Sequence, residues 1–479
     1  MTVRNRQKLF RLTKIGHQLV KEALKDYDSI NWFCEIHRKC IRRQTFTNFY
    51  NGDGVKRETA ETYCDVLKIP NWREKWDTIF ELLPVAIADW SVYDDRWVGR
   101  KKLVSDLTKK IRNNCRLLLL LGITGIGKTA LAEKIADDIQ SRFGKILRVN
   151  FDSDDHPRDF VGVASRWLEE LGESLLLEDK QPMAILKRLM NQLREERILV
   201  LVDSLEALLT ENEDGWGDFE DEWWTKFFAY FLAIASSQST LIITSQDLPT
   251  KIQSLASRYP NIYHREILHG LLDDEQVALF EKVGLDMSLT SADRPILMRI
   301  GKIYHGHPLM LRVLSGEIVE SFASNARAFW GNVGEEIELV EKHLAEAEAG
   351  AKLESANDDW KLHKLTRRIW MKVYRRRLDE VFKRLKRQNA DAYLLICVAA
   401  IYRRPVQESG WLLQLDSYIQ RLRNEVYSKE RQLQVLEDLF GRFLVETSIN
   451  HNDRRLLGMH NLIRSVALEH RQELFAEFG

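Results

Sequence analysis

The chain changes its hydrophobic period three times. Near the start, Leu9, Leu12, Ile15, Leu19, Val20 and Leu24 recur at helical spacing, and shorter helical patterns continue from Trp32 to Leu67, so the first 90 residues read as all helix. Between about Trp97 and Leu268 the pattern becomes short apolar runs, at 117–121, 146–151, 198–202, 241–243 and 263–268, separated by helical stretches. That alternation predicts a parallel sheet covered by helices. After Gly270 the helical period returns, with Asp273 and Gln276 in capping-box spacing ahead of Val277, Leu279 and Phe280. Residues 334–359, rich in Glu and Ala, read as a long helix or connector. The densely basic segment 361–387 marks a soft boundary. In the last hundred residues, short apolar segments near 443–447 and 455–458 predict a small helical domain with a β-hairpin wing. Four units result: 1–90, 91–268, 269–359 and 360–479.

Composition narrows this picture. At about 150 residues per domain, 479 residues suggest roughly three domains, and 71 Lys and Arg against 71 Asp and Glu leave no net pull toward nucleic acid or membrane. Any such pull is local. The five cysteines, Cys34, Cys40, Cys64, Cys115 and Cys397, form no CxxC pair, which speaks against a disulfide framework or zinc cluster and fits a reducing cytoplasm. No purely apolar run is long enough for a bilayer, so no membrane partner is expected. No repeat of 20 to 50 residues is visible.

The strongest chemical signal is Gly122-Ile-Thr-Gly125-Ile-Gly127-Lys128-Thr129, after an apolar strand and before a helix at 130–139. Gly122, Thr124, Gly125, Ile126, Gly127, Lys128, Thr129 and Ala130 form the phosphate-binding set. Glycines let successive N–H groups turn toward phosphate oxygens, the helix adds its positive end, Lys128 supplies a cation, and Thr129 can ligate magnesium. A magnesium nucleotide also needs a carboxylate ending a neighbouring strand; Asp203, after the apolar 198–202, is that candidate. Thr129 and Asp203 are thus the metal pair. Lys128, Asp203 and Glu206 are the catalytic candidates, although Ser204 follows Asp203 and a water-activating base is not assured. Ser245 and Gln246 end another strand, either sensing the terminal phosphate or forming a polar turn.

Further strings occur in the order found in the NB-ARC group of STAND-class P-loop NTPases, which includes plant disease-resistance and animal apoptosome proteins. Val98-Gly99-Arg100 resembles the family's VGR string, His305-Gly306-His307-Pro308-Leu309 its GxP element, and Met459-His460-Asn461-Leu462 its MHD string. The resemblance implies that Val98, Gly99 and Arg100 contact the adenine side, that Pro308 packs on the base, and that His460 approaches the β-phosphate of ADP. It implies adenine as the base, which the P-loop alone does not select. It also implies a C-terminal winged helix, an ADP/ATP switch and ATP-driven self-association. Three departures are visible: Ser204 replaces the usual second acid, Ser245-Gln246 stands where many relatives carry arginine, and Asn461 replaces the aspartate of MHD. They point to slow hydrolysis. The usual sensor repeats are not found, so sensing falls to a separate partner protein, or the chain is a fragment or short form.

Residues 1–57 hold thirteen Lys and Arg against five Asp and Glu, an excess of +8 in a neutral chain. Residues 32–52 read as helix, turn, helix and glycine stop, similar to the phage-repressor helix-turn-helix. Arg43, Gln44, Thr47 and Asn48 occupy base-reading positions, and Arg38, Arg42, Lys56 and Arg57 are suited to phosphates. DNA contact through residues 30–57 and a death-domain-like bundle are both open readings. Segment 361–387 likewise reads either as a helix with one hydrated basic face or as a surface for acidic partners.

The sequence therefore predicts a multidomain α/β plus α protein: a parallel-sheet P-loop NTPase core with an N-terminal helical module, a helical domain and a C-terminal winged helix. Its expected function is an ATP/ADP and magnesium-dependent signalling switch with slow ATPase activity. The alternatives are an ATP-regulated transcription regulator acting through its N-terminal module and an ATPase of the replication-initiator kind.

Overall fold

The computed structural model describes residues 9–25, 27, 29–38, 41, 46, 49–50, 55–82, 97–152, 157–175, 181–210, 217–234, 237–256, 258–349, 358–424, 427–449 and 455–478. Five strands, β1 (Leu117–Leu121), β2 (Lys145–Asn150), β3 (Ile198–Asp203), β4 (Thr240–Ser245) and β5 (Tyr263–Ile267), form a parallel sheet in the order β5-β1-β4-β3-β2. Successive strand residues point to opposite faces. Leu117, Leu119, Leu121, Val200, Val202, Leu241 and Ile243 enter one core, while Leu118, Leu120, Leu199, Leu201 and Ile242 enter the other. Helices cover both faces, which is why these strands are apolar at nearly every position.

After β1 the chain crosses to the far edge and returns through β2 and β3 before β4 inserts beside β1. This order places the carboxyl ends of β1, β4 and β3 side by side, with Leu121 opposite Ser245 and Asn150 opposite Asp203. Ligands of open α/β sheets bind in the crevice at such ends. Helix α1 (Lys128–Ile139) leaves β1 directly above it.

Beyond the sheet, α2 (Asp273–Val283), α3 (Pro308–Phe322), α4 (Asp358–Gln388) and α5 (Asn461–Phe478) are the helices that matter for the site. One apolar cluster extends from Leu271 to Leu474, so the units placed at 269–359 and 360–479 share a core. The cap of α2 closes through Glu275, whose carboxylate accepts from the Leu272 N–H at 3.0 Å. Gln276, the residue the spacing had singled out, donates instead to the Leu271 carbonyl. Strands β6 (Val406–Gln407), β7 (Glu446–Ile449) and β8 (Arg455–Gly458) form an antiparallel sheet in the order β6-β8-β7, and β7 and β8 are the expected hairpin.

The basic segment is one continuous helix, α4. Leu378, Val381, Phe382 and Leu385 are buried, and Arg377 and Arg384 both reach Glu317 of α3, at 2.5 and 2.8 Å. Arg375 pairs with Glu469, and Lys383 with Asp379 and Glu380. A helix burying one face and pairing its charges within the chain is what the structure records for these residues.

The N-terminal module corrects the all-helix expectation. Leu9–Leu12 is a strand between Val55–Lys56 and Phe80–Leu82, both antiparallel to it. The helical period broke at Thr13, whose side chain accepts from the Gly16 N–H and starts the helix Lys14–Ala23 only there. Leu12, Val20, Phe33, Phe46, Phe49 and Tyr63 make a separate core. The base-reading candidates Arg43, Gln44, Thr47 and Asn48, and also Arg42, lie outside the described residues. Arg38 pairs with Glu35, and Arg57 pairs with Glu61 and lies over the Trp76 ring.

Candidate nucleotide site

The P-loop joins β1 to α1. Gly125 and Gly127 have φ of +80° and +91°, left-handed values that glycine adopts at little cost. Gly125 is further constrained, because a Cβ there would lie 2.8 Å from the His307 ring and 2.9 Å from Leu309. The Lys128 ammonium folds back onto its own loop, donating to the carbonyls of Gly122 and Ile123 at 3.0 and 3.1 Å. An ammonium with three donors on a flexible stem can exchange these carbonyl partners for phosphate oxygens.

At the far wall, Thr129 Oγ1 donates to Asp203 Oδ1 at 2.9 Å, and Thr244 Oγ1 donates to the same oxygen at 2.5 Å. These are hard oxygen donors, and Thr129 with Asp203 fits a magnesium ion. Thr244 was not among the sequence candidates. It gains its place because β4 lies between β1 and β3, an order that spacing along the chain does not reveal. Its hydroxyl also accepts from the Ser204 N–H at 3.0 Å.

Ser245 is buried, its Oγ accepting from the Asp247 N–H while its carbonyl accepts from the Gly122 N–H. Gln246 is the residue that reaches the loop: Thr124 Oγ1 donates to its side-chain oxygen at 2.6 Å. The Gln246 N–H in turn donates to Glu206 Oε2 at 3.1 Å. Burial raises the Glu206 carboxyl above its ordinary range, with Lys128 opposing.

Arg100 supports the loop from behind. It is 6% exposed, and its guanidinium donates to the carbonyls of Ile126 at 2.7 Å, His269 at 2.9 Å and Gly127 at 3.4 Å. Its own N–H donates to Glu275. Burial lowers the guanidinium pKa to about 10, so it remains a cation at neutral pH. Gly99 has φ +72°, its carbonyl accepts from the Trp97 indole, and Val98 packs against the helical core.

Two histidines bring the flanking units to this pocket. His307 caps α3: its Nε2 lies 2.9 Å from the Thr124 carbonyl, and its Nδ1 accepts from the Met310 N–H. Those partners fix the neutral tautomer with the proton on Nε2. The ring packs 4.3 Å from that of Tyr374 on α4, so P-loop, α3 and α4 are in direct contact. Pro308 is the first residue of α3. His460 precedes α5, and its Nδ1 accepts from the Leu462 N–H. Burial lowers His307 to about 3 and His460 to about 4, with the Lys128 charge contributing to both. His307 stands inside the GxP string, directly before Pro308. No spacing along the chain marks it, because its contact with Thr124 forms only when α3 docks on the loop.

One more carboxylate, Asp152, lies past β2. Its N–H donates to the Asn150 side chain at 2.9 Å, and its Oδ2 accepts from Ser204 Oγ at 2.6 Å and from Asn461 Nδ2 at 2.8 Å. Two of the three sequence departures thus converge on a residue that no motif marked.

Comparison with known proteins agrees with this geometry. Residues 100–216 match the NB-ARC domain. Over those residues the chain is similar to the NB-ARC domain, and the five-stranded parallel sheet with its flanking helices is that of a P-loop NTPase core. An uncharacterised WD repeat-containing protein of Nostoc sp. is 26% identical over 328 residues, which cover 60% of this chain and 24% of that protein. The chain therefore spans about a quarter of that relative's length. Among solved structures, a STAND protein with a tetratricopeptide repeat sensor from Pyrococcus horikoshii is 17% identical, covering 80% of this chain and 44% of that one, with a TM-score of 0.43. Cdc6p from Pyrobaculum aerophilum is 15% identical, covering 81% and 99%, with a TM-score of 0.34. Among the described residues no helix is long and apolar enough to cross a membrane.

Proposed function

We propose that the chain is a signalling switch set by the identity of its bound adenine nucleotide. The observation that carries this reading is the contact of His307 and Asn461, from the units that follow the sheet, with Thr124 and Asp152 around one phosphate pocket. A terminal phosphate entering that pocket changes the free energy of those contacts. Differential affinity of this kind is what shifts a conformational equilibrium.

In the compact arrangement, Lys128 and the loop amides hold the diphosphate, His460 offers a neutral N–H donor to the β-phosphate, and Pro308 lies against the base. Thr129 and Asp203 would hold the magnesium ion, which neutralises charge between the phosphates. Exchange of ADP for ATP removes the His460 contact, the C-terminal unit, read as a winged helix, swings away, and opened protomers associate. With Ser204 in place of a second acid, hydrolysis is slow and serves to reset the switch. The +8 excess of residues 1–57 supports a second reading of the output, in which the N-terminal module binds DNA under nucleotide control; a steep fall of affinity with salt is its signature.

Titration calorimetry on the full chain tests the reading. Wild type takes up ADP and ATP with magnesium, while Lys128→Ala loses at least tenfold in affinity. Equal affinity in the variant would overturn the assignment of the pocket.

A further inference from the structure

Position 204 carries a hydroxyl where a carboxylate would reach toward the end of the nucleotide, yet the space beside it is not without an acid. Asp152 arrives from the neighbouring strand. Strand β2 pairs with β3 with Asn150 opposite Asp203, so two residues later the chain passes next to Ser204. There the Asn150 side chain holds the Asp152 N–H, and the Ser204 hydroxyl donates to Oδ2 at 2.6 Å. The residue is exposed, while local burial and the Asp203 charge raise its carboxyl above the ordinary range and Lys128 opposes them.

We propose, on the reading of the pocket as an ATP site, that Asp152 is the catalytic residue that orients and deprotonates the attacking water, and that Asn461 withholds it in the compact arrangement. In the step itself, a water oxygen bonds to the γ-phosphorus while its proton passes to the Asp152 carboxylate. The bond from that phosphorus to the β–γ bridging oxygen breaks, and ADP and inorganic phosphate result. Ser204 keeps the carboxylate in place through its hydroxyl, so hydroxyl and carboxylate together span the distance that one longer acidic side chain would span from position 204.

Asn461 explains the coupling to shape. Its amide donates at 2.8 Å to the oxygen already bonded to Ser204, across 309 residues of sequence. An aspartate at 461 would bring a second negative charge to that oxygen and repel it, whereas the amide donates. The asparagine therefore joins the C-terminal unit to the acid on which turnover depends. Movement of that unit frees the acid.

Single-turnover ATP hydrolysis by the full chain, with nucleotide binding measured in parallel by calorimetry, tests this. Asp152→Asn keeps ATP affinity within about threefold and slows hydrolysis by a factor of about 10²–10⁴, the range for loss of a general base. Ser204→Asp placed in the Asp152→Asn background restores at least a tenth of the wild-type rate. The backbone at 204 has φ +61°, a conformation that aspartate tolerates. Asn461→Ala raises the rate several-fold. If Asp152→Asn hydrolyses ATP as wild type does, or if wild type binds ATP and never cleaves it, the role assigned to Asp152 is wrong while the nucleotide site stands. Loss of turnover in Glu206→Gln with Asp152→Asn unaffected returns the role to Glu206. A wild-type chain that binds no ATP overturns both readings.

Discussion

His307 and His460 are held neutral by burial, and Lys128 adds to the cost of charging either one. Unfolded, each would take up a proton near pH 6.5. Below that pH the unfolded chain binds more protons than the folded one, so folding stability falls as pH drops from about 6.5 toward 4 and is intact above it. Each histidine contributes at most about 1.4 kcal/mol per pH unit in that window. Thermal melts between pH 7 and 4.5 should show the loss, and His307→Gln should make it shallower; a pH-independent melting temperature would contradict the buried, neutral assignment. The same positions illustrate what the sequence reveals at this scale. That Thr129 and Asp203 meet was legible, because one opens the helix after the loop and the other ends a neighbouring apolar strand. Thr244, His307 and Asp152 were not, since each reaches the pocket only through strand order or the docking of another unit.

At the scale of elements, the link between α3 and α4 is ionic as well as apolar. Glu317 is fully buried between Arg377 and Arg384, both nearly or largely buried themselves. Removing one partner of a buried ion pair leaves an uncompensated charge and costs about 3–5 kcal/mol. Glu317→Gln should therefore lower the stability of the C-terminal half by that order in urea titrations, and a loss below about 1 kcal/mol would show that water reaches the pair. Hydrophobic period identified the five strands and α4 well, because a residue buried on both faces or along one stripe leaves a mark in the sequence. It failed at Leu9–Leu12, where four residues fit a helical stripe and a strand equally, and pairing with Phe80–Leu82 decided between them. The same limit hid the shared core of the last two units: apolar stripes show which face is buried, not which neighbour covers it.

For the whole molecule, the contacts of the P-loop define a route from nucleotide to remote domains. A Cβ at Gly125 would meet His307 and Leu309, and His307 packs on Tyr374. Gly125→Ala would force the loop and α3 apart as well as strain the backbone, so it should weaken nucleotide binding at least tenfold and loosen the C-terminal half in hydrogen exchange together. Weakened binding with unchanged exchange would mean that the loop and the helical unit are independent. The most direct measurement of the switch is sedimentation velocity of the full chain with magnesium and either ADP or a non-hydrolysable ATP analogue. A compact protomer is expected with ADP, and an expanded, self-associating species with the ATP analogue. Identical monomeric profiles in the two nucleotides, at saturation of the pocket, would contradict it.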